Sequence, residues 1–424
     1  MATSCIVNSL KGASSRLLHK GTLGRADMAG TRERMSGPRL RALPVPSGVA
    51  ALSVLVDLQR ALDGSGPALA PHLLNGPPQP IPDDVGHLPE GLALTIGTSG
   101  TTGRPKLAML TGDSLRASAD ATHERLGGQG QWLLAMPAHH IAGIQVLVRS
   151  LAAGTTPVSM DLAGGFTAAA FVRATGEIAS AATAYTALVP TQLVRLLAVA
   201  EGRQALTRYA AVLLGGAAAP PGLLAEARDA GVRVVTTYGM SETAGGCVYD
   251  GRALDVSLVQ LEDDGRIRLG GATLALGYLG EPALSATAFV VDESARRWFR
   301  TGDVGHLDAR GALVVDGRID DLINTGGLKV APRLVEEALT ALDIVAEAVV
   351  VGSPDPEWGQ LVCAAIVVTP GVSPPTLDDV RARLRGILPD HALPRRLATL
   401  PELPVRGPGK PDRAAIRRRF DNEV

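Results

Sequence analysis

The chain has 424 residues, too many for one hydrophobic core, so two or three domains are expected. Its 41 basic and 42 acidic side chains leave a formal net charge of −1, which excludes a global field for nucleic acid or for stable insertion at an anionic membrane. Three widely spaced cysteines (Cys5, Cys247, Cys363) offer neither a disulfide framework nor a zinc site and fit a reducing, cytoplasmic setting. No apolar run approaches the ~20 residues of a membrane span.

Residues 1–41 are rich in Lys and Arg, hold only Asp27 and Glu33 as acids and lack a sustained apolar period. They are expected to form a disordered extension, with Met28 or Met35 as alternative starts; a transit peptide would share this composition. From residue 92 strand-like and helix-like segments alternate. "LALTIG" (92–97) is a short apolar run before a glycine loop, "AGIQVLVRSLAAG" (142–154) has helical length, and "TTPVSM" is extended. "TAYTALVP" (183–190) leads into "TQLVRLLAVA", where Leu193, Leu196, Leu197 and Ala200 share a helical face. "YAAVLLGG" (209–216) runs into a helix opened by Pro220 and Pro221 and closed by Gly231, and "VRVVTTYG" (232–239) is the next strand. This alternation predicts parallel βαβ layers with ligands at the C-terminal strand ends.

After residue 255 the texture changes to short strands and tight turns, such as "LVQLEDDGRIRLGG". Beyond "GRIDD" come a helix "RLVEEALTAL" (333–342), apolar strands "AEAVVVG" and "LVCAAIVVT", a helix "LDDVRARLRGIL" and a strand-like "RRLATLPELP". The predicted fold class is α/β. A large domain (42–317) combines parallel βαβ layers with a small β region, a hinge spans 318–320, and a small mobile α+β domain follows (321–424).

The loop "TSGTTGRPK" (98–106) is suited to phosphate but is not the familiar P-loop, since Gly100 and Gly103 stand only two residues apart and Leu107 follows Lys106. Glycines let backbone N–H groups approach phosphate oxygens, the hydroxyls add donors, and the lysine adds charge. Four further segments follow in order: "YGMSET" (238–243), "TGD" (301–303), "GRIDDLINTGG" (318–327) and "GPGKPDR" (407–413). Together the five resemble the adenylate-forming acyl-CoA ligase superfamily, from about residue 90 to the end.

That resemblance implies ATP and CoA as co-substrates, Mg²⁺ as the metal, and a role for each motif residue. Thr98, Ser99, Gly100, Thr101, Thr102, Gly103 and Lys106 would clamp the leaving pyrophosphate. Tyr238 would stack on adenine, Glu242 would ligate Mg²⁺, and Thr243 would face the α-phosphate. Asp303 would accept the ribose hydroxyls, and Arg318 would face phosphate and ribose. Asp320 would be the hinge, and Gly326 and Gly327 would line the pantetheine path. Lys410 would bridge the acid and the α-phosphate as charge builds. The phosphate loop lies nearer the N-terminus than in typical members, which implies an abbreviated N-terminal subdomain.

"PAHHIAGIQVLVRSLAAG" (137–154), "VPTQLVRLL" (189–197) and "YGMSETAGGCVYDG" (238–251) narrow the resemblance to the o-succinylbenzoate–CoA ligases of menaquinone biosynthesis. His140, rather than His139, would line and gate the acyl pocket. Gly215, Gly216 and Ala217 would form its small-residue floor, and Gly245 and Gly246 a wall. Arg149, a lone charge in an apolar helix, carries two readings: a side chain snorkelling to the surface, or the partner of the substrate's second carboxylate. The alternatives are a ligase for another aryl or fatty acid, a carrier-loading adenylation domain, or a non-catalytic nucleotide-binding relative. Self-association is left open.

Overall fold

Short apolar strands and amphipathic helices build three sheets before residue 320 and one principal sheet after it. The structure is a computed structural model that describes residues 39–82, 87–98, 105–406 and 410–422. The first sheet has the order β1 (Leu40–Val45), β2 (Ala68–Leu73), β3 (Leu92–Thr98), β4 (Lys106–Thr111), with β4 antiparallel to β3 and the others parallel. Helix α1 (Leu55–Leu62) connects β1 to β2, and α2 (Gly112–Leu126) follows β4. Leu40 and Arg41, expected in the N-terminal extension, belong to β1. Leu40 pairs with Ala68 in register, and Arg41 holds Asp57 at 2.6 Å. The basic composition of the preceding stretch masks the onset of this strand.

The second sheet comprises β5 (Gln131–Leu134), β6 (Val158–Ser159), β7 (Ala184–Leu188), β8 (Ala211–Leu214), β9 (Val234–Met240), β10 (Gly245–Tyr249) and β11 (Arg252–Ala253). Its spatial order is β11-β10-β9-β8-β7-β5-β6. The strands from β6 to β9 in that order run parallel, whereas β10 and β11 return antiparallel. Alternate residues feed opposite faces, as the pleat requires. Trp132, Leu134, Ala211 and Leu213 join a core with the first sheet, α1, α2 and α3 (Ile141–Ala152). Leu133, Ala135, Val212 and Leu214 join a second core beneath α4 (Ala168–Gly176), α5 (Pro190–Leu197), α6 (Ala200–Leu206) and α7 (Pro221–Asp229). The expected single helix over 191–200 is thus two. α6 crosses the end of α5 at Gly202, where a Cβ would lie 2.3 Å from the carbonyl of Leu196.

The chain moves from β5 to the edge at β6 and back across to β7, so strand order reverses between β5 and β7. Such switch points open a crevice at the C-terminal strand ends.

The third sheet is antiparallel: β12 (Ser257–Leu261), β13 (Arg266–Gly271), β14 (Phe289–Val291), β15 (Arg297–Leu307) and β16 (Leu313–Arg318), with α8 (Pro282–Ala288) before β14. The remaining unit is α+β. It contains β17 (Ile323–Thr325), β18 (Leu328–Val330), α9 (Pro332–Thr340), β19 (Val345–Asp355), β20 (Gly359–Val368), α10 (Leu377–Leu384) and β21 (Arg396–Thr399). A two-stranded hairpin, β22 (Val405–Arg406) with β23 (Lys410–Pro411), and α11 (Arg413–Asp421) complete it. Val350, Val362 and Ala364 pack under α9 and α10, while Val351, Cys363 and Ala365 pack under α11. No buried hydrophobic cluster among the described residues draws members from both sides of residues 316–322.

Candidate active site

Residues from β4, β9, β15 and β16 meet at the end of the second sheet. Thr98 closes β3 opposite Lys106, the first residue of β4, and its Oγ1 donates to the Lys106 carbonyl at 3.4 Å. Thr98 and Lys106 thus flank the predicted phosphate loop, of which Ser99, Gly100, Thr101, Thr102 and Gly103 lie outside the described residues. Lys106 Nζ stands 5.5 Å above the ring of Tyr278, whose hydroxyl donates to Glu242 Oε1 at 2.8 Å.

Glu242 lies in a 3₁₀ turn, Ser241–Thr243, that ends β9. The turn is closed by Thr243, whose Oγ1 accepts from Met240 N at 3.0 Å and lies 2.8 Å from the Gly245 carbonyl. Thr243 is fully buried. Its hydroxyl is spent on the turn, so the contact with an α-phosphate expected of it finds a closed geometry here. Ala244 exits the turn in the left-handed region at φ 51°, held by Gln145 Nε2 donating to its carbonyl at 2.7 Å. Strain of this kind persists only where the surroundings fix it. Glu242 is buried, and burial pushes its carboxyl above the usual range, opposed by the Tyr278 hydrogen bond and by the charges of Lys106 and Arg318.

Tyr238, on β9, donates its hydroxyl to Asp303 Oδ2 at 2.7 Å. Burial, then the neighbouring Asp303 charge, drives the phenol far above its ordinary pKa, so it remains a donor. Asp303 sits in "TGD" on β15, where Thr301 is buried and its Oγ1 both donates to Ile267 O at 2.8 Å and accepts from Asp303 N at 3.0 Å. The same carboxylate faces Arg318 Nε at 3.6 Å, its register partner on β16. Gly302 makes room for that guanidinium: a Cβ there would lie 2.6 Å from Arg318 Nη2. Arg318 also reaches exposed Asp320 at 3.8 Å, across the short turn Ile319–Asp321.

The expected acyl-slot residues occupy neighbouring strand ends. Gly215, Gly216 and Ala217 follow β8; a Cβ on Gly215 would strike Thr237 Oγ1 at 2.3 Å, and Gly216 has φ 79°. His140 is the N-cap of α3 and is exposed, whereas His139 is half-buried, with ring centroids 4.1 Å apart. Burial, then His140 and His72, hold the His139 pKa down at about 4. Burial also lowers the pKa of His140, so both rings stand partly withdrawn from solvent at the start of α3. Gly245 abuts α3, since a Cβ would lie 3.2 Å from Gln145 and 3.8 Å from Ile141.

Arg149 departs from the first of its readings. It is 3% exposed, so it does not snorkel. Its guanidinium lies 4.9 Å from the Trp132 ring centroid, and Nη2 donates to the Tyr249 hydroxyl at 3.3 Å. Tyr249 in turn stands directly behind Gly246, where a Cβ would meet its ring at 2.9 Å. Arg149 thus packs behind β10 through Tyr249, with its guanidinium enclosed by Trp132 and the Tyr249 hydroxyl.

In the small domain Gly326 and Gly327 form the β17–β18 turn with φ 59° and 79°, a geometry that by itself calls for glycine. Lys410 lies on β23 opposite Arg406. Sequence reasoning missed Tyr278, Gln145, Thr301 and Gly302. For Tyr278 the available signal was its place between two glycines in "LGYLG" (276–280).

The family model for AMP-binding enzymes matches residues 48–317, and that for the AMP-binding enzyme C-terminal domain matches residues 334–410. The chain is 46% identical over 395 residues to a probable 2-succinylbenzoate–CoA ligase of Mycobacterium tuberculosis, covering 91% of this chain and 100% of that protein. It is 32% identical to a 2-succinylbenzoate–CoA ligase of Listeria innocua, over 78% of this chain and 70% of the relative. Among solved structures, an O-succinylbenzoate coenzyme A synthetase from Bacillus subtilis in complex with AMP superimposes with a TM-score of 0.65. It shares 28% identity and covers 77% of this chain and 69% of its own.

Proposed function

Since the chain belongs to the AMP-binding enzyme family, we propose that it is an acid–thiol ligase making o-succinylbenzoyl-CoA from o-succinylbenzoate, ATP and CoA. The observation that carries this reading is the convergence of Lys106, Tyr238, Glu242, Asp303 and Arg318. Residues far apart in sequence meet at one spot with the donor and acceptor types a nucleotide needs.

In the first half-reaction a carboxylate oxygen of the acid attacks the α-phosphorus. The α–β phosphoanhydride bond breaks, and pyrophosphate leaves with the electron pair. In the second, the CoA thiolate attacks the acyl carbon and AMP leaves with the acyl C–O bond electrons. Lys106, at the start of β4, neutralises the leaving pyrophosphate. Tyr238 offers a ring to adenine, and Asp303, with lone pairs beyond those taken by Tyr238, accepts from the ribose hydroxyls. Arg318 faces the same nucleotide from β16. Lys410, on the small domain, offsets the charge that builds between acid and α-phosphate. The small residues Gly215, Gly216 and Ala217 leave room for an aryl ring, with His140 at the slot mouth. Asp320 serves as the hinge between the half-reactions, and the Gly326–Gly327 turn borders the path of the pantetheine arm.

The site fits Mg²⁺ through Glu242. Among the described residues no cluster of three His, Cys, Asp or Glu side chains could cage a metal. A single buried carboxylate suits Mg²⁺, which is usually held by one or two carboxylates plus phosphate and water. When bound, the ion withdraws charge from the phosphates.

Pyrophosphate release by the native chain across a panel of carboxylic acids tests the substrate. o-Succinylbenzoate is expected to lead, and 4-phenyl-4-oxobutanoate, which keeps the reacting arm but lacks the ring carboxylate, to be poor. A site that pairs a polar group rejects analogues lacking it. Equal turnover of the two would remove the substrate assignment and leave a general acyl-CoA ligase.

A further inference from the structure

Tyr278 touches both charged ends of the nucleotide site, and we propose that it is a positioning residue that aims Glu242 at the divalent cation and holds Lys106 beside it. The inference rests on the adenylation reading above.

Its backbone is tied to the strand that carries Lys106. Met109 N donates to Gly277 O at 2.9 Å, Leu276 N to Met109 O at 2.8 Å, and Leu279 N to Leu107 O at 2.9 Å. Tyr278 thereby stands antiparallel to Ala108. Lys106 is the diagonal neighbour on the same face, and diagonal neighbours lie within reach of long and aromatic side chains. This placement explains the ammonium 5.5 Å above the ring, within the range of a cation–π contact. The same segment holds the other partner: Ala275 N donates to the Glu242 carbonyl at 2.9 Å.

The ring itself has little freedom. Tyr278 is buried, meets Phe289 edge-on at 5.7 Å, and its N–H donates to Ser285 Oγ at 2.8 Å. Gly277 permits this closeness, since a Cβ there would lie 2.9 Å from Ser285 Oγ. A fixed hydroxyl thus meets a buried carboxylate. Among the described residues it is the side chain that donates a hydrogen bond to Glu242, and it engages Oε1. Oε2 is left for a hard cation in a set direction. Partners of this kind orient a metal ligand, and their loss typically weakens metal binding about 10–100-fold.

Two variants separate the two functions of the side chain. Tyr278→Phe keeps the ring under Lys106 and removes the hydroxyl; Tyr278→Leu removes both. Mn²⁺ serves as the probe, titrated by electron paramagnetic resonance with ATP and no acid, alongside the Mg²⁺ dependence of pyrophosphate exchange. Tyr278→Phe is expected to weaken Mn²⁺ binding to the ATP complex about tenfold or more and to raise the Mg²⁺ requirement, with the KM for the acid unchanged. Tyr278→Leu should in addition raise the KM for ATP. Native Mn²⁺ binding by a folded Tyr278→Phe protein overturns the proposal. If the native chain itself binds no Mn²⁺–ATP, the adenylation reading falls, and this inference with it.

Discussion

Arg413 grips Glu336 through both terminal nitrogens, at 2.7 and 3.0 Å, three residues after Lys410. Its Nη1 also donates to Val350 O at 2.6 Å, and Val350 N donates back to Glu336 Oε1 at 2.7 Å. Asp412 caps α11 and donates its own N–H to Pro404 O at 2.7 Å. The hairpin that carries Lys410 therefore springs from a fixed base on the small-domain sheet. Lys410→Ala should abolish pyrophosphate release, a loss of about 10²–10³ in rate, yet still convert supplied acyl-AMP to thioester. Unimpaired pyrophosphate release would remove Lys410 from the adenylation step.

Arg413→Lys cannot reproduce the two-pronged contact. It should lower adenylation more than thioester formation, because the base of the hairpin loosens while the remaining sheet persists. Half-reaction assays on the folded variant check this. An equal fall in both would assign Arg413 to general stability.

Asp320 occupies the exposed turn between β16 and β17. If the small domain swings there between the half-reactions, Asp320→Pro should restrict the backbone and let acyl-adenylate accumulate while thioester formation drops. Quench-flow measurement of both products distinguishes this from misfolding, in which both decline together.

Arg149 is a buried cation with no carboxylate partner among the described residues, stacked on Trp132 and bonded to Tyr249. Replacing a buried charge by a well-packed apolar side chain is often neutral or stabilising. Arg149→Met should therefore keep or raise Tm with little change in the KM for the acid, whereas Arg149→Ala should cost about 2–5 kcal/mol as a cavity forms. A large rise in acid KM in a stable Arg149→Met protein would restore the direct pairing with the substrate.

His123, buried on α2, accepts from Trp132 Nε1 at 3.2 Å and has an unpartnered Nδ1. Burial, and then the charge of Arg149, lower its pKa from 6.5 to about 4. Between these values the unfolded chain binds the proton and the folded one does not. Stability from this group is present above pH 6.5 and is lost as pH falls towards about 4. Urea unfolding from pH 7 to 4.5 should show that decline, and His123→Gln should flatten it. An unchanged slope in the variant would place the dependence on other groups.

The sequence was most legible where chemistry restricts the residue type. The Tyr238–Thr243 hexapeptide, "TGD" and Arg318 carry their identities in short motifs, and the fold brings Tyr238, Glu242, Asp303 and Arg318 together. The parallel strands were readable because their apolar runs alternate with amphipathic helices. Arg149 was not readable, since a lone charge in a helix says nothing about Trp132 and Tyr249 arriving from other strands. Thr243 shows the same limit: a hydroxyl in a motif is suited to a ligand or to its own turn, and only the backbone course decides. The first two strands of the first sheet, Leu40–Val45 and Ala68–Leu73, bear no motif at all and are defined by pairings remote in sequence.

Among the described residues no apolar cluster is shared across residues 316–322, and the links there are polar. Among them are Arg333 donating to the Val315 carbonyl and Arg318 facing Asp320. Water can replace such bonds at a net cost of only about 0.5–1.5 kcal/mol each, whereas separating packed side chains would expose apolar surface. A change of backbone course there would break polar contacts rather than uncover a shared apolar core.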